Sequence, residues 1–192
     1  MTKVIKGNPG YLDYKKKIEI IKTIIYFGIV AAIFFLGYSQ THSRLNMLTV
    51  VAILGCLPAS KSLVGVITRF PYSSIDKERV KEIEAVTRHL TVSYDMVITS
   101  RDKIMPVDCI VISGNKVFGY THSEKVDLPY TQSHIKTILS QNQLDGVSVK
   151  LFDSFKAFLA RAEGLESIQK IEKNETQERE ETIKHVILNI SM

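Results

Sequence analysis

The residues with the strongest claim to chemistry stand close together between positions 108 and 125. Asp108 opens an apolar run, and Thr121, His122, Ser123, Glu124 and Lys125 follow the next strand-like segment. Carboxylates, an imidazole, hydroxyls and an ammonium are the groups from which acid–base and nucleophilic catalysis is built. Spacing narrows that range. None of His42, His89, His122, His134 and His185 stands at metal-ligand spacing with a cysteine or another histidine. Ser123 beside His122 makes no triad, because nothing in the sequence places a base and an orienting acid around it. Cys109 lies among isoleucine and valine, the setting of a core thiol rather than a nucleophile. No glycine-rich phosphate loop is present. No metal and no cofactor are therefore expected. The polar loop that begins at His122 is the first place to look for a ligand.

The elements that must position these residues follow from periodicity. Ser74 is an N-cap candidate, and Ile75, Arg79, Val80, Ile83, Val86 and Leu90 form a helical stripe. Residues 92–98 alternate as a strand. Residues 107–112 are nearly continuous in apolar side chains, which predicts a strand buried on both faces. A turn at 113–116 leads to a third strand over 117–121. Thr131 and Ser133 are N-cap candidates for a helix carrying Ile135, Ile138 and Leu139, and residues 147–151 form a fourth strand. Asp153 or Ser154 caps a further helix with Phe155, Phe158, Leu159 and Ala162, weakened at its far end by Gly164. Residues 170–184 alternate in charge and predict a solvated helix or linker, and the apolar end from 185 predicts a helix running into a short strand.

The order helix, strand, strand, strand, helix, strand over residues 74–151, with Asp108 in the second strand, resembles the core of restriction-endonuclease-like proteins, in particular their nuclease-related (NERD-type) branch. The resemblance implies a divalent metal held between the Asp and the Glu of a Glu-x-Lys at the end of the third strand, with the Lys near the attacking water. The chain departs from that pattern in the catalytic half. The Glu position falls on Thr121 and the Lys position on Ser123. Glu124 and Lys125 are adjacent, and neighbouring side chains in a strand point to opposite faces. The expectation is a catalytically silent version of the fold. Asp108 is then expected to cap a turn or to pair with Lys103 or Lys125.

The first third of the chain has a different character. Residues 1–69 carry nine basic and two acidic side chains, whereas residues 70–192 carry sixteen basic and eighteen acidic ones. The overall charge of +5 therefore does not mark a basic domain, and nucleic acid is not an expected partner. From Thr23 to Ser43 there is no formal charge, and a second apolar run covers 46–68, interrupted by Pro58 and Lys61. About 20 such residues cross a bilayer as a helix. A cleaved signal peptide fits less well, because the basic segment and the apolar stretch are too long and a second span follows. The expected fold class is an α-helical transmembrane hairpin followed by a small cytoplasmic α/β domain. Its segments are a basic N-terminal stretch 1–22, a hairpin 23–69 with spans at about 23–41 and 46–68, the α/β domain 70–169, and a charged end 170–192. Lysines flank the outer ends of both spans, so both termini are expected on the cytoplasmic side of the cell membrane. The small pairs Gly28/Ala32 and Gly55/Ala59 suit close packing, either within the hairpin or between copies.

The expected function is that of a membrane-anchored protein that binds a protein partner, or its own copy, without catalysis. The alternatives are a membrane-tethered metal-dependent nuclease, and a membrane-embedded transport or sensing subunit built on Pro58 and Lys61. The variant Lys61→Met separates the last of these from a lysine that merely reaches the headgroups. An unchanged phenotype is expected for the headgroup role, and loss of transport or sensing for the intramembrane one.

Overall fold

In the computed structural model, which describes residues 3–41, 46–172 and 177–192, the chain divides into two compact units. One is Leu12–Ser73 and the other joins Met1–Tyr11 to Ser74–Met192.

The first unit is a pair of helices, α1 (Tyr11–Thr41) and α2 (Met47–Arg69). α1 begins earlier than the apolar run, because residues 11–22 combine helix-forming lysines with an aliphatic stripe. Asn46 caps α2, its Oδ1 accepting the Thr49 N–H at 2.8 Å. The pairing is antiparallel and constant in register. Thr23 Oγ1 meets Ser62 Oγ at 2.9 Å, a Cβ on Gly55 would come within 3.0 Å of Val30, and a Cβ on Gly37 would come within 2.8 Å of Leu48. Fourteen residues separate the outer contacts on each helix, Thr23 to Gly37 and Leu48 to Ser62. Ala52 and Ala59 are buried in this seam, whereas Gly28 and Ala32 are exposed. Pro58 and Lys61 are also exposed, and α2 runs through Pro58 without a break. Both helices are long and apolar enough to cross a membrane. Only 11% and 17% of their most apolar windows are buried, so these side chains face outward rather than into a protein core.

The second unit contains α3 (Lys77–Val86), β1 (Thr91–Thr99), β2 (Ile104–Ser113), β3 (Lys116–Tyr120), α4 (Leu128–Gln141), β4 (Ser148–Phe152), α5 (Phe155–Glu172) and α6 (Gln177–Asn189). The four strands form one mixed sheet in the order β1-β2-β3-β4. The first two pairings are antiparallel, and β3–β4 is parallel because α4 carries the chain across. Ile135, Leu139, Ile183 and Ile187 of α4 and α6 pack with one face, and Ile83, Phe158 and Leu165 of α3 and α5 with the other.

Several local features differ from the sequence reading. Asp76 rather than Ser74 caps α3, which ends at Val86 and leaves Leu90 on the approach to β1. Asp127 rather than Thr131 or Ser133 caps α4, with Pro129 in its first turn. α5 passes through Gly164 to Glu172. Part of the expected linker, 173–176, lies outside the described residues, as do residues 42–45 between the two expected spans. The C-terminal end is a helix followed by a single antiparallel bridge, Ser191 to Ile98.

The strands also exchange faces midway. Tyr94 and Cys109 pair and belong to the core on the α3/α5 side, whereas Met96 and Val107, the next recorded pair, belong to the α4/α6 side. Asp95 lies between them with φ of 55°. Aspartate tolerates this left-handed conformation better than most residues because its short side chain bonds locally. Here its Oδ1 accepts the Ile75 N–H at 2.9 Å. Asp108 stands at the corresponding point of β2.

Glu180 contradicts the solvated reading of the charged end. It is 2% exposed and accepts from the Gly114 N–H at 2.7 Å, Thr91 Oγ1 at 2.8 Å and Gln169 Nε2 at 2.9 Å. A buried carboxylate is tolerated when donors replace its water. Glu180→Ala is expected to destabilise the fold by about 1–3 kcal/mol, the cost of a buried donor left without its partner. Urea unfolding of the full chain in detergent measures it, and an unchanged midpoint would exclude this structural role.

Candidate functional site

The side chains singled out above gather at the carboxyl ends of the parallel strands β3 and β4, where open α/β sheets usually offer a crevice. Cys109 pairs with Tyr120, so the residues one step beyond, Asp108 and Thr121, stand side by side at the sheet's end. The Thr121 N–H bonds to the Phe152 carbonyl at 3.0 Å and its hydroxyl to the Pro106 carbonyl at 2.8 Å. These bonds tie the exit of β3 to both neighbouring strands.

Asp108 is 5% exposed, and its partner is His122. The backbone N–H of His122 donates to Oδ2 at 2.7 Å, and its ring Nδ1 lies 2.8 Å from both carboxylate oxygens. The expected pairing with Lys103 or Lys125 does not form. Lys103 bonds Asp127 instead, at 2.8 Å, and Lys125 is exposed on a turn. The His122 amide and ring meet the carboxylate directly after Thr121, and the turn closed by the Val126 N–H on the Ser123 carbonyl comes only after that. A carboxylate on Nδ1 fixes the ring's orientation and the tautomer that keeps its proton there. The orienting acid that the sequence did not disclose is thus Asp108. The imidazole is half exposed, and its ring makes no other hydrogen bond among the described residues.

Thr121, His122, Ser123 and Glu124 line a shallow open recess with Asp153 and Ser154. The last two come from the exit of β4 and the approach to α5, and they entered the sequence reading only as cap candidates. Their signal was topological, since a parallel β3–β4 pair must end its strands at the same edge. Lys125 does not line the recess. Among the described residues no group of three or more His, Cys, Asp or Glu side chains is arranged to hold a metal ion.

The end of β3 beside the recess is packed among aromatic rings. Tyr120 packs edge-on to Phe155 and against Phe158, and its hydroxyl receives a 2.6 Å bond from Arg79. Burial pushes the phenol's pKa up, partly opposed by the Arg79 guanidinium. Cys109 is fully buried, and burial, with the Asp108 and Asp95 carboxylates nearby, pushes its thiol well up. It is therefore a protonated core group, unsuited to nucleophilic attack.

Comparison with protein-family models, curated proteins and solved structures gives no match to this chain. The functional reading rests on the geometry alone.

The loop's far end is anchored by Asp127, whose Oδ1 accepts the Tyr130 N–H at 3.1 Å while Oδ2 takes Lys103. The Lys103 bond, then the Tyr130 N–H, lowers the Asp127 pKa, and the same bond raises that of Lys103. Asp127 therefore contributes stability above the usual carboxylate range that is lost as the pH falls through its depressed value. Lys103 contributes stability below the usual lysine value that is lost as the pH rises through its raised one. Amide-exchange protection of the first turn of α4 should be flat across neutral pH and fall at the acid end. The variant Lys103→Met should move that acid limb to higher pH, and an unmoved limb would exclude the coupling.

Proposed function

We propose that the chain is an integral membrane protein whose helices α1 and α2 cross the bilayer as a hairpin and hold the α/β domain at the cytoplasmic face. There the domain docks a protein partner, or a second copy, without catalysis. One observation carries the reading most directly. Residues 3–11 precede the hairpin in sequence yet are bonded into the domain that follows it. The Gly7 carbonyl accepts the Tyr94 N–H at 2.8 Å, Lys6 Nζ donates to the Ser191 carbonyl at 2.5 Å, and Gly7 packs against Leu188. Segments so joined lie on one side of any membrane, and two spans between them meet that requirement. The outward apolar surfaces of both helices support insertion, and the basic flanks support the cytoplasmic side.

The recess offers a polar surface suited to docking. Both oxygens of Asp108 are engaged by His122, so a metal held as in the nuclease-like alternative would compete with the ring for this carboxylate. Glu124 and Asp153 are exposed at the rim beside hydroxyls, a lining that suits a polar or basic segment of a partner.

Two measurements test this reading. Reporter fusions active only in the cytoplasm should signal at position 192 and stay silent in the 42–45 connection; the reverse pattern would overturn the topology. The full chain purified in detergent should leave DNA and RNA intact with Mg²⁺ or Mn²⁺. Cleavage that disappears in Asp108→Ala would establish the nuclease instead.

A further inference from the structure

We propose that the base of the hairpin is a binding collar for anionic phospholipid headgroups, formed by Lys17, Lys22 and Lys61 with Arg69 below them. The proposal rests on the membrane reading above and adds the lipid class.

The helix register carries it. With Thr23 against Ser62 in an antiparallel pair, Lys22 and Lys61 stand within about 3 Å of one another in depth on neighbouring helices, Lys61 the deeper. By sequence alone Lys61 lies inside the second apolar run, eight residues before Arg69. In the pair it lies level with the start of the uncharged stretch of α1. Drawing Lys61 more than about 3 Å into hydrocarbon would draw in Lys22 as well. Lys17 and Arg69 fall at a second level, about 10 Å farther out at 1.5 Å per residue.

The charge balance points the same way. Two acidic side chains share this end of the unit, and each already has a lysine beside it. Asp13 lies 3.9 Å from Lys16, and Glu19 lies 4.0 Å from Lys15 with its carboxylate turned toward Gly65 of α2. Lys16 also stands over the Phe70 ring at 5.8 Å, and Arg69 Nη1 bonds the Gly65 carbonyl at 3.3 Å. Lys17, Lys22 and Lys61 are exposed. Three exposed ammoniums surround the pair where it would meet the headgroups, without a protein carboxylate paired to any of them among the described residues.

Length agrees with this placement. Between the Thr23–Ser62 and Gly37–Leu48 contacts the pair rises about 21 Å, and the uncharged part of α1 from Thr23 to Thr41 spans about 28 Å. Hydrocarbon cores are about 30 Å thick. A belt of that length sets the lysines at its end beside the phosphates, which their stems can reach. The collar therefore lies at the headgroups, where each basic residue interacts with anionic lipid most strongly.

The test reconstitutes the full chain into vesicles of equal phosphatidylcholine and phosphatidylglycerol, then measures by native mass spectrometry which lipid stays bound on gentle release. Retained phosphatidylglycerol should exceed phosphatidylcholine. The excess should fall about fivefold in Lys61→Gln, more in the triple variant Lys17→Gln/Lys22→Gln/Lys61→Gln, and little in Lys61→Arg. High salt should lower it, and millimolar inorganic phosphate should not displace the lipid. Equal retention of the two lipids by the natural chain, or an excess unchanged in both glutamine variants, would overturn the collar. If the triple variant does not insert, the single pair Lys61→Gln and Lys61→Arg decides. A carbonate wash separates the two levels of failure. A natural chain that is washed off the vesicles overturns the membrane reading and the collar together, whereas a chain that stays but shows no lipid preference overturns the collar alone.

Discussion

A sheet enclosed on both faces imposes the constraint on which the α/β domain depends. Along β1 and β2 nearly every residue must satisfy one of two cores, whereas exposed strand residues stand at the start of β2 and β3 and along β4. β2 meets this with apolar side chains on both sides, Val111 with Cys109 toward α3 and α5, Ile110 with Ile112 toward α4 and α6. The exchange of faces at Asp95 and Asp108 is the point at which polar atoms enter this enclosure. Each carboxylate is held there by a backbone N–H from another segment, Ile75 for Asp95 and His122 for Asp108. The recess thus lies beside an interruption in the sheet that the two cores hold in place.

The edges of the sheet complete the arrangement. β1 has an unpaired flank that would invite strand addition. Gly7 near one end of the chain and Ile190, Ser191 and Met192 at the other bond to this flank at Tyr94, Thr99, Ile98 and Val97. The same contacts that protect the edge bring the approach to the hairpin into the domain. A few main-chain hydrogen bonds thus join segments that lie on either side of the helix pair in sequence.

Much of the organisation is legible from local pattern. Strands at 92–98, 107–112, 117–121 and 147–151 are read from alternation and apolar runs, because β-sheet burial imposes those patterns on nearest neighbours in sequence. The cap at Asp127 was within reach of the same reasoning, since aspartate followed by Leu128-Pro129 is a helix-start signal, and weight on the hydroxyls of Thr131 and Ser133 obscured it. Glu180 was beyond reach. Its surroundings in sequence, Glu178, Arg179 and Glu181, are those of a solvated helix. Its partners Thr91 and Gly114 are distant along the chain.

The sequence by itself determined the two apolar helices, the basic-to-acidic change of character after Arg69, and the helix–strand order, because each depends on spacing within a dozen residues. Only the tertiary structure decided that Asp108 holds His122 rather than a lysine, that Asp153 and Ser154 share its recess, that Glu180 is buried, and that Lys61 stands within about 3 Å of Lys22 in depth. These are relations between segments far apart in the chain. Their geometry is set by strand register and helix register, and neither leaves a trace in the local pattern of residues.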